Sequence, residues 1–331
     1  MTTDDPRVNL MLDWLENDLS LTLDEFGPAS NDASFRRYFR ISASNKSYIV
    51  MDAPPDKENT ANFIKIAELM RKASIHVPEI FENNHALGFM LLEDLGHTCF
   101  LDILSEENVD ALYGLALDSL LRQQKYFMNA TVDIPHYDQP LLSRELTIFD
   151  EWFLQKLLNI AIPDTIKSDR DELLINSALS QPLTFVHRDY HSRNLMVAGA
   201  NGPGVIDFQD AVMGPITYDA VSLLKDCYIS WPETAVDGWL KNYFQQLKQV
   251  HPFEADYPQF QRWFNLMGLQ RHLKAIGIFS RLHLRDDKSG YLADIPRTLN
   301  HVVSVCRLYP ELSGFSDFMM QSVLPVYERQ A

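Results

Sequence analysis

Asp189, Asn194 and Asp207 follow one another within FVHRDYHSRNLMVAGANGPGVIDFQDA, residues 185–211. Asparagine and aspartate side chains are hard oxygen ligands, suited to a magnesium ion that also carries substrate phosphates. If Asn194 and Asp207 hold such an ion, Asp189 remains to accept a proton from an attacking hydroxyl. Phosphoryl transfer needs that division of labour, with metal on the phosphates and a carboxylate on the nucleophile. A zinc cluster of His187, Asp189 and His191 is the competing reading, and it leaves Asn194 and Asp207 without a use.

Such a trio has to be brought together by strands and a turn. Phe185-Val186 reads as the end of a strand, Leu195-Met196-Val197 as a second, and Val205-Ile206 as a third that ends in Asp207. AGANGPG is the turn of the hairpin that brings Asn194 towards Asp207. Upstream, residues 9–26 carry leucines at helical spacing, and FRRYFRI and KSYIVM read as strands joined by SASN. A helix over 59–72 follows, marked by Phe63, Ile66, Ala67 and Met70, then the strands VPEIFENN and LGFMLLEDLG. After Gly96 the pattern turns helical: one helix is capped by Ser105, a second is marked by Leu142, Leu146, Phe149, Phe153 and Leu157, and helix dominates up to Pro325. The expected domains are therefore 1–96, with a hinge at 91–96, and 97–331.

The 331 residues suffice for two lobes, and 46% hydrophobic with 22% charged residues is an ordinary globular balance. A net charge of −16 argues against nucleic acid and anionic membrane as partners. No apolar run reaches a membrane span, MTTDDPRVNL lacks the order of a secretory signal, and the three cysteines form no CxxC pair. A cytoplasmic setting is expected.

Asn194 lies five positions after Asp189, and Asp207-Phe208 lies thirteen after Asn194. That pattern resembles the HxDxxxxN loop and metal-binding Asp-Phe of the protein-kinase-like fold, and more closely its aminoglycoside phosphotransferase family. The resemblance implies an α+β, two-lobed fold: a small antiparallel sheet lobe with a helix, then a larger, mainly helical lobe. It also implies ATP and magnesium, with Asp189 catalytic and Asn194 and Asp207 on the metal. His187 and Asp219 would brace the loop, and the backbone of Glu93 and Leu95 would bind adenine. SNDASFRRYF stands where kinases carry a glycine loop, so phosphates would meet Ser30, Ser34 and backbone amides. Met51 stands where the family has its phosphate-binding lysine, and an arginine among Arg36, Arg37 and Arg40 is expected to replace it. On a strand, Arg36 and Arg40 share one face and Arg37 takes the other.

NDASFRRYFR, HRDYHSRNLM, IDFQDAVMGPITYDAVSLLKDCY and LQRHLKAIGIFSRL look like the bacterial anomeric kinases of N-acetylmuramate and N-acetylglucosamine in cell-wall recycling. Arg193, Asp226, Tyr228, Arg271 and Lys274 are the candidate acceptor residues; Arg271 and Lys274, three apart on a helix, share a face. Kinases of aminoglycoside, choline or homoserine, and a non-catalytic nucleotide-binding scaffold, are the alternatives.

Overall fold

The computed structural model describes residues 4–29, 36–128, 130–199 and 202–330. By internal contacts the chain divides into two compact units: Met1–Thr98 with Met196–Gln209, and Cys99–Leu195 with Asp210–Ala331. The first unit thus recovers a piece of chain from the middle of the second, a return that the expected division at Gly96 does not contain.

In the first unit, helix α1 (Pro6–Asp13) begins where the Asp5 carboxylate accepts hydrogen bonds from the N–H groups of Arg7 and Val8. It runs on as a π-helical stretch, Trp14–Asp18, and stops before Ser20, which is left-handed at φ 55. The expected helix over 9–26 is therefore corrected: Leu23–Pro28 form an edge strand, β1, paired antiparallel with β2 (Arg37–Ala43). The leucines mislead because helical spacing continues from Leu19 to Leu23 across the break at Ser20, while Leu21 and Leu23 pack on the core from the segment that leads into β1. β2 and β3 (Lys46–Asp52) make a hairpin whose turn residues, Ser44 and Asn45, are both left-handed, at φ 51 and 61. Helix α2 (Thr60–Lys72), capped by Asn59, separates them from β4 (Ile80–Asn84) and β5 (Phe89–Glu93). The sheet order is β1-β2-β3-β5-β4. Its Ile41, Val50, Phe89 and Leu91 pack with Met11, Leu12, Trp14 and Leu15 into one core.

The second unit opens with α3 (Phe100–Ile103) and α4 (Val109–Phe127). Ser105 is not the cap of α4. Asn108 closes the preceding turn by accepting from the Ser105 N–H at 2.8 Å and donating to the Ile103 carbonyl at 2.7 Å, which moves the start to Val109. Next come α5 (Gln139–Ile148), continued by a π-helical stretch to Leu157, and α6 (Asp164–Leu179). Strand β6 (Leu183–Val186) leads to the ribbon of β7 (Leu195–Met196) and β8 (Gly204–Val205). These strands are shorter than expected, since the Val197 N–H turns to the Thr98 carbonyl and Asp207 is left-handed at φ 63. β9 (Val212–Pro215) pairs antiparallel with β6 and runs into α7 (Tyr218–Leu224), followed by α8 (Glu233–Val250).

Helix α9 (Tyr257–Asp286) is buried along most of its length. At Gly277 its backbone presses on the end of α5, where an added Cβ would stand 2.6 Å from the Ile148 carbonyl carbon and the Phe149 nitrogen. That approach sets how far the α9 side chains reach. α10 (Ile295–Leu308), α11 (Ser313–Phe318) and α12 (Leu324–Gln330) complete the unit, so helix runs past Pro325. Among the described residues, no helix is long and apolar enough to cross a membrane.

Candidate active site

The loop between β6 and β7 is pinned at nearly every residue. Asp219, at the start of α7, accepts hydrogen bonds from the backbone N–H groups of His187 at 2.7 Å and Arg188 at 3.1 Å. Those bonds hold Arg188 left-handed at φ 79, a conformation costly for a residue with a Cβ. The Asp189 N–H donates to Nδ1 of the buried His187 at 3.2 Å. The Tyr190 hydroxyl donates to the Ala116 carbonyl of α4. Ser192 donates through its N–H and its hydroxyl to Asp226, at 2.9 and 2.6 Å, and its carbonyl accepts from Leu101. Asn194 closes the loop by donating Nδ2 to the Asp189 carbonyl at 3.0 Å.

Asp189 sits among cations. Burial pushes its carboxyl up, but Lys274, His191, Arg188 and Arg271 together outweigh burial and bring it down to about 2. It is therefore a carboxylate throughout the neutral range. Burial pushes Asp219 up to about 7, against the pull of its two backbone donors. Burial lowers the pKa of His191 while Asp226 and Asp189 raise it, and its Nδ1 has no hydrogen-bond partner among the described residues.

The residue that arranges these cations is Glu145, which sequence reasoning missed. Buried on α5, it pairs with Lys274 at 3.1 Å and with Arg188, and it accepts from the Tyr137 hydroxyl. One signal was available: Glu145 shares a helical face with Leu142, Leu146 and Phe149, where an acid is out of place unless paired. Lys274 also reaches the Tyr218 hydroxyl at 3.4 Å, and Arg271, one turn earlier on α9, donates to Cys227 Sγ at 3.5 Å. Arg193 lies over the Tyr228 ring, 3.8 Å from its centroid. Asp226 is committed to Ser192 and to the Tyr228 N–H, so its carboxylate braces the loop.

In the first unit, Asp207 accepts from Gln209 Nε2 at 2.8 Å, and the Gln209 carbonyl accepts from Asn62 of α2 at 2.6 Å. Arg36 pairs with Glu58 at 2.8 Å; it precedes β2 and so falls outside the alternation expected of it. Arg37 is held between Asp5 and Asp52, and Arg40 bonds Asp94 and the Gly96 carbonyl. Met51 is fully buried in β3. The Glu93 carboxylate accepts from the Glu79 N–H and meets His76. Leu95 packs against Gly204, where a Cβ would come within 2.8 Å of its side chain. Ser30 and Ser34 lie outside the described residues.

The donor chemistry suits magnesium. An amide oxygen and a carboxylate, the groups of Asn194 and Asp207, are hard donors of the kind magnesium takes, and Asn194 donates its Nδ2 to the Asp189 carbonyl. Zinc held by His187, Asp189 and His191 is not supported: His187 Nδ1 accepts from the Asp189 N–H, and no cluster of three or more metal-binding side chains occurs among the described residues.

Known proteins share this architecture and, in part, this sequence. A chain from Pseudomonas putida named N-acetylmuramate/N-acetylglucosamine kinase is 42% identical over 97% of this chain and 98% of its own. One of the same name from Pseudomonas aeruginosa is 43% identical over 89% of this chain and 88% of its own. Among solved structures, an ADP-bound aminoglycoside phosphotransferase superposes with a TM-score of 0.55 at 15% identity, covering 91% of this chain and 99% of that one, which is a likeness of fold. Residues 25–263 match the phosphotransferase enzyme family, and the chain belongs to that family.

Proposed function

We propose that the protein is an ATP-dependent kinase that phosphorylates the C1 hydroxyl of N-acetylmuramate and N-acetylglucosamine, in cell-wall recycling. The observation that carries this reading is Asp189, an ionised carboxylate on a loop braced by Asp219, His187 and Asp226. Full-length likeness to two kinases of those sugars supports the choice of acceptor. Asp189 orients the sugar hydroxyl and accepts its proton as the phosphoryl group transfers. Asn194 and Asp207 would each offer an oxygen to magnesium, which would neutralise phosphate charge. Glu93 and Leu95 bind adenine through their backbone, and Leu95, lying on Gly204, walls that site.

Arg36 is the arginine best suited to stand in for the missing lysine. Its partner Glu58 immediately precedes the cap of α2, so Arg36 and Glu58 reproduce a cation–carboxylate pair between the phosphate loop and this helix. Arg37 is spent on Asp5 and Asp52, and Arg40 on Asp94.

A cationic acceptor such as an aminoglycoside or choline suits the acceptor side poorly. Glu145 and Asp226 are already saturated, while Arg193 and Arg271 keep N–H groups to offer. Phosphorus NMR of the product from ATP and N-acetylmuramate should show a sugar 1-phosphate, and chelation of magnesium should abolish it. Phosphate on an aminocyclitol or choline, with none on either amino sugar, would refute the reading.

A further inference from the structure

Two arginines of the second unit are equally deep in protein and differently provided for. Arg170 is 1% exposed and donates to Asp150 and Asp171 through four hydrogen bonds of 2.6–3.0 Å. Arg271 is 5% exposed, yet among the described residues its only hydrogen bond is the one to Cys227 Sγ at 3.5 Å, and no carboxylate forms an ion pair with it. A guanidinium carries five N–H donors and is costly to desolvate without an anionic partner. Its unused nitrogens are not sealed in the core either: Nε of Arg188 and of Arg281 are buried without a partner, whereas no nitrogen of Arg271 is. Asp189, Asp226 and the Tyr218 hydroxyl act on the Arg271 guanidinium, and Lys274, three positions on along α9, acts with it on Asp189. Asp226 is taken by Ser192 and Tyr228, and Lys274 by Glu145 and Tyr218. Asp189 faces the acceptor hydroxyl.

We infer that Arg271 is the specificity-determining residue for an acidic acceptor: it clamps the lactyl carboxylate of N-acetylmuramate, for which N-acetylglucosamine has no counterpart. This rests on the proposed amino-sugar reading of the same site. The lactyl ether hangs from C3, with one ring carbon, C2, between it and C1, so a sugar with its C1 hydroxyl on Asp189 carries its carboxylate close by. The planar guanidinium can meet both carboxylate oxygens at once, which an ammonium cannot. Cys227, a neutral and weak acceptor, holds the guanidinium in place without competing for its charge. Arg193 is the rival clamp, but it is exposed and stacked on Tyr228 near Asp294.

The test compares kcat/KM for the two sugars in the wild type, R271M, R271K and R193M. The ratio of N-acetylmuramate to N-acetylglucosamine should fall about ten- to a hundredfold in R271M, mostly through KM for N-acetylmuramate. R271K should give an intermediate ratio, and R193M should keep the wild-type one. The methyl ester of N-acetylmuramate, assayed on wild-type protein, removes the charge without touching the fold, and should lose the same factor. An ester used as well as the acid, an unchanged ratio in R271M, or a loss seen in R193M instead would each overturn the inference. Wild type inactive on both sugars would instead condemn the reading on which it rests.

Discussion

The two units spend their cations differently. In the sheet unit, Arg7, Arg36, Arg37 and Arg40 each end on a carboxylate, and two of them share Asp52. They tie α1, the strands and the start of α2 to one another. Around Asp189 in the helical unit, Arg188 and Lys274 converge on Glu145, one acid for two bases, and Arg271 has none among the described residues. The excess of positive charge falls on Asp189. Charge is balanced where it ties elements together and left unbalanced around Asp189, the proposed base.

The sharpest attempt to break this contrast is Asp189→Asn. Turnover should fall about 10²- to 10⁴-fold, as for removal of a general base. Binding of a fluorescent ATP analogue, read by titration, should stay within a few-fold. Asp219→Ala is next, since it frees two backbone N–H groups and lets Arg188 leave its left-handed conformation. A loss of about 2–4 kcal/mol in unfolding free energy is expected in denaturant titration, together with a fall in kcat larger than any change in KM.

Lys274→Met tests the unbalanced charge itself. Removing the cation that most lowers Asp189 should raise its pKa from about 2, so the acid limb of kcat/KM moves to higher pH. The sign for stability follows. A carboxyl depressed in the folded state stabilises above its ordinary value of 3.8 and loses that contribution as pH falls through about 2. The acid-unfolding curves of wild type and Asp189→Asn should therefore converge near that pH. An acid limb unmoved in Lys274→Met would mean that Arg188 and Arg271 suffice.

The smallest effects separate the arginines of the sheet unit. Arg36→Met should raise KM for ATP about tenfold with little change in melting temperature. Arg37→Met should do the reverse, costing about 1 kcal/mol of stability and leaving KM for ATP within twofold. Equal KM effects from both would erase the distinction between a phosphate-binding pair and a structural one.

Much of the fold is legible in sequence because local rules and tertiary needs agree. The β2–β3 hairpin follows from Ser44-Asn45, and α2 from Asn59 and an apolar stripe. The misreadings arise where a helical spacing runs on past a break or two caps compete. Leu19 and Leu23 keep helical spacing although Leu23 opens a strand, and Asn108 displaces Ser105 as the cap of α4. Glu145 escaped because a lone acid on a helix names no partner, and its three partners come from residues 137, 188 and 274.

The sequence by itself determined which residues are proposed for the catalytic loop, since Asp189, Asn194 and Asp207 are chemically specific and lie close along one strand–loop–strand segment. It could also name the arginines. Only the tertiary structure decided which of them are consumed. A guanidinium's role depends on whether a carboxylate from a distant element reaches it, and among the described residues one reaches Arg37 while none pairs with Arg271.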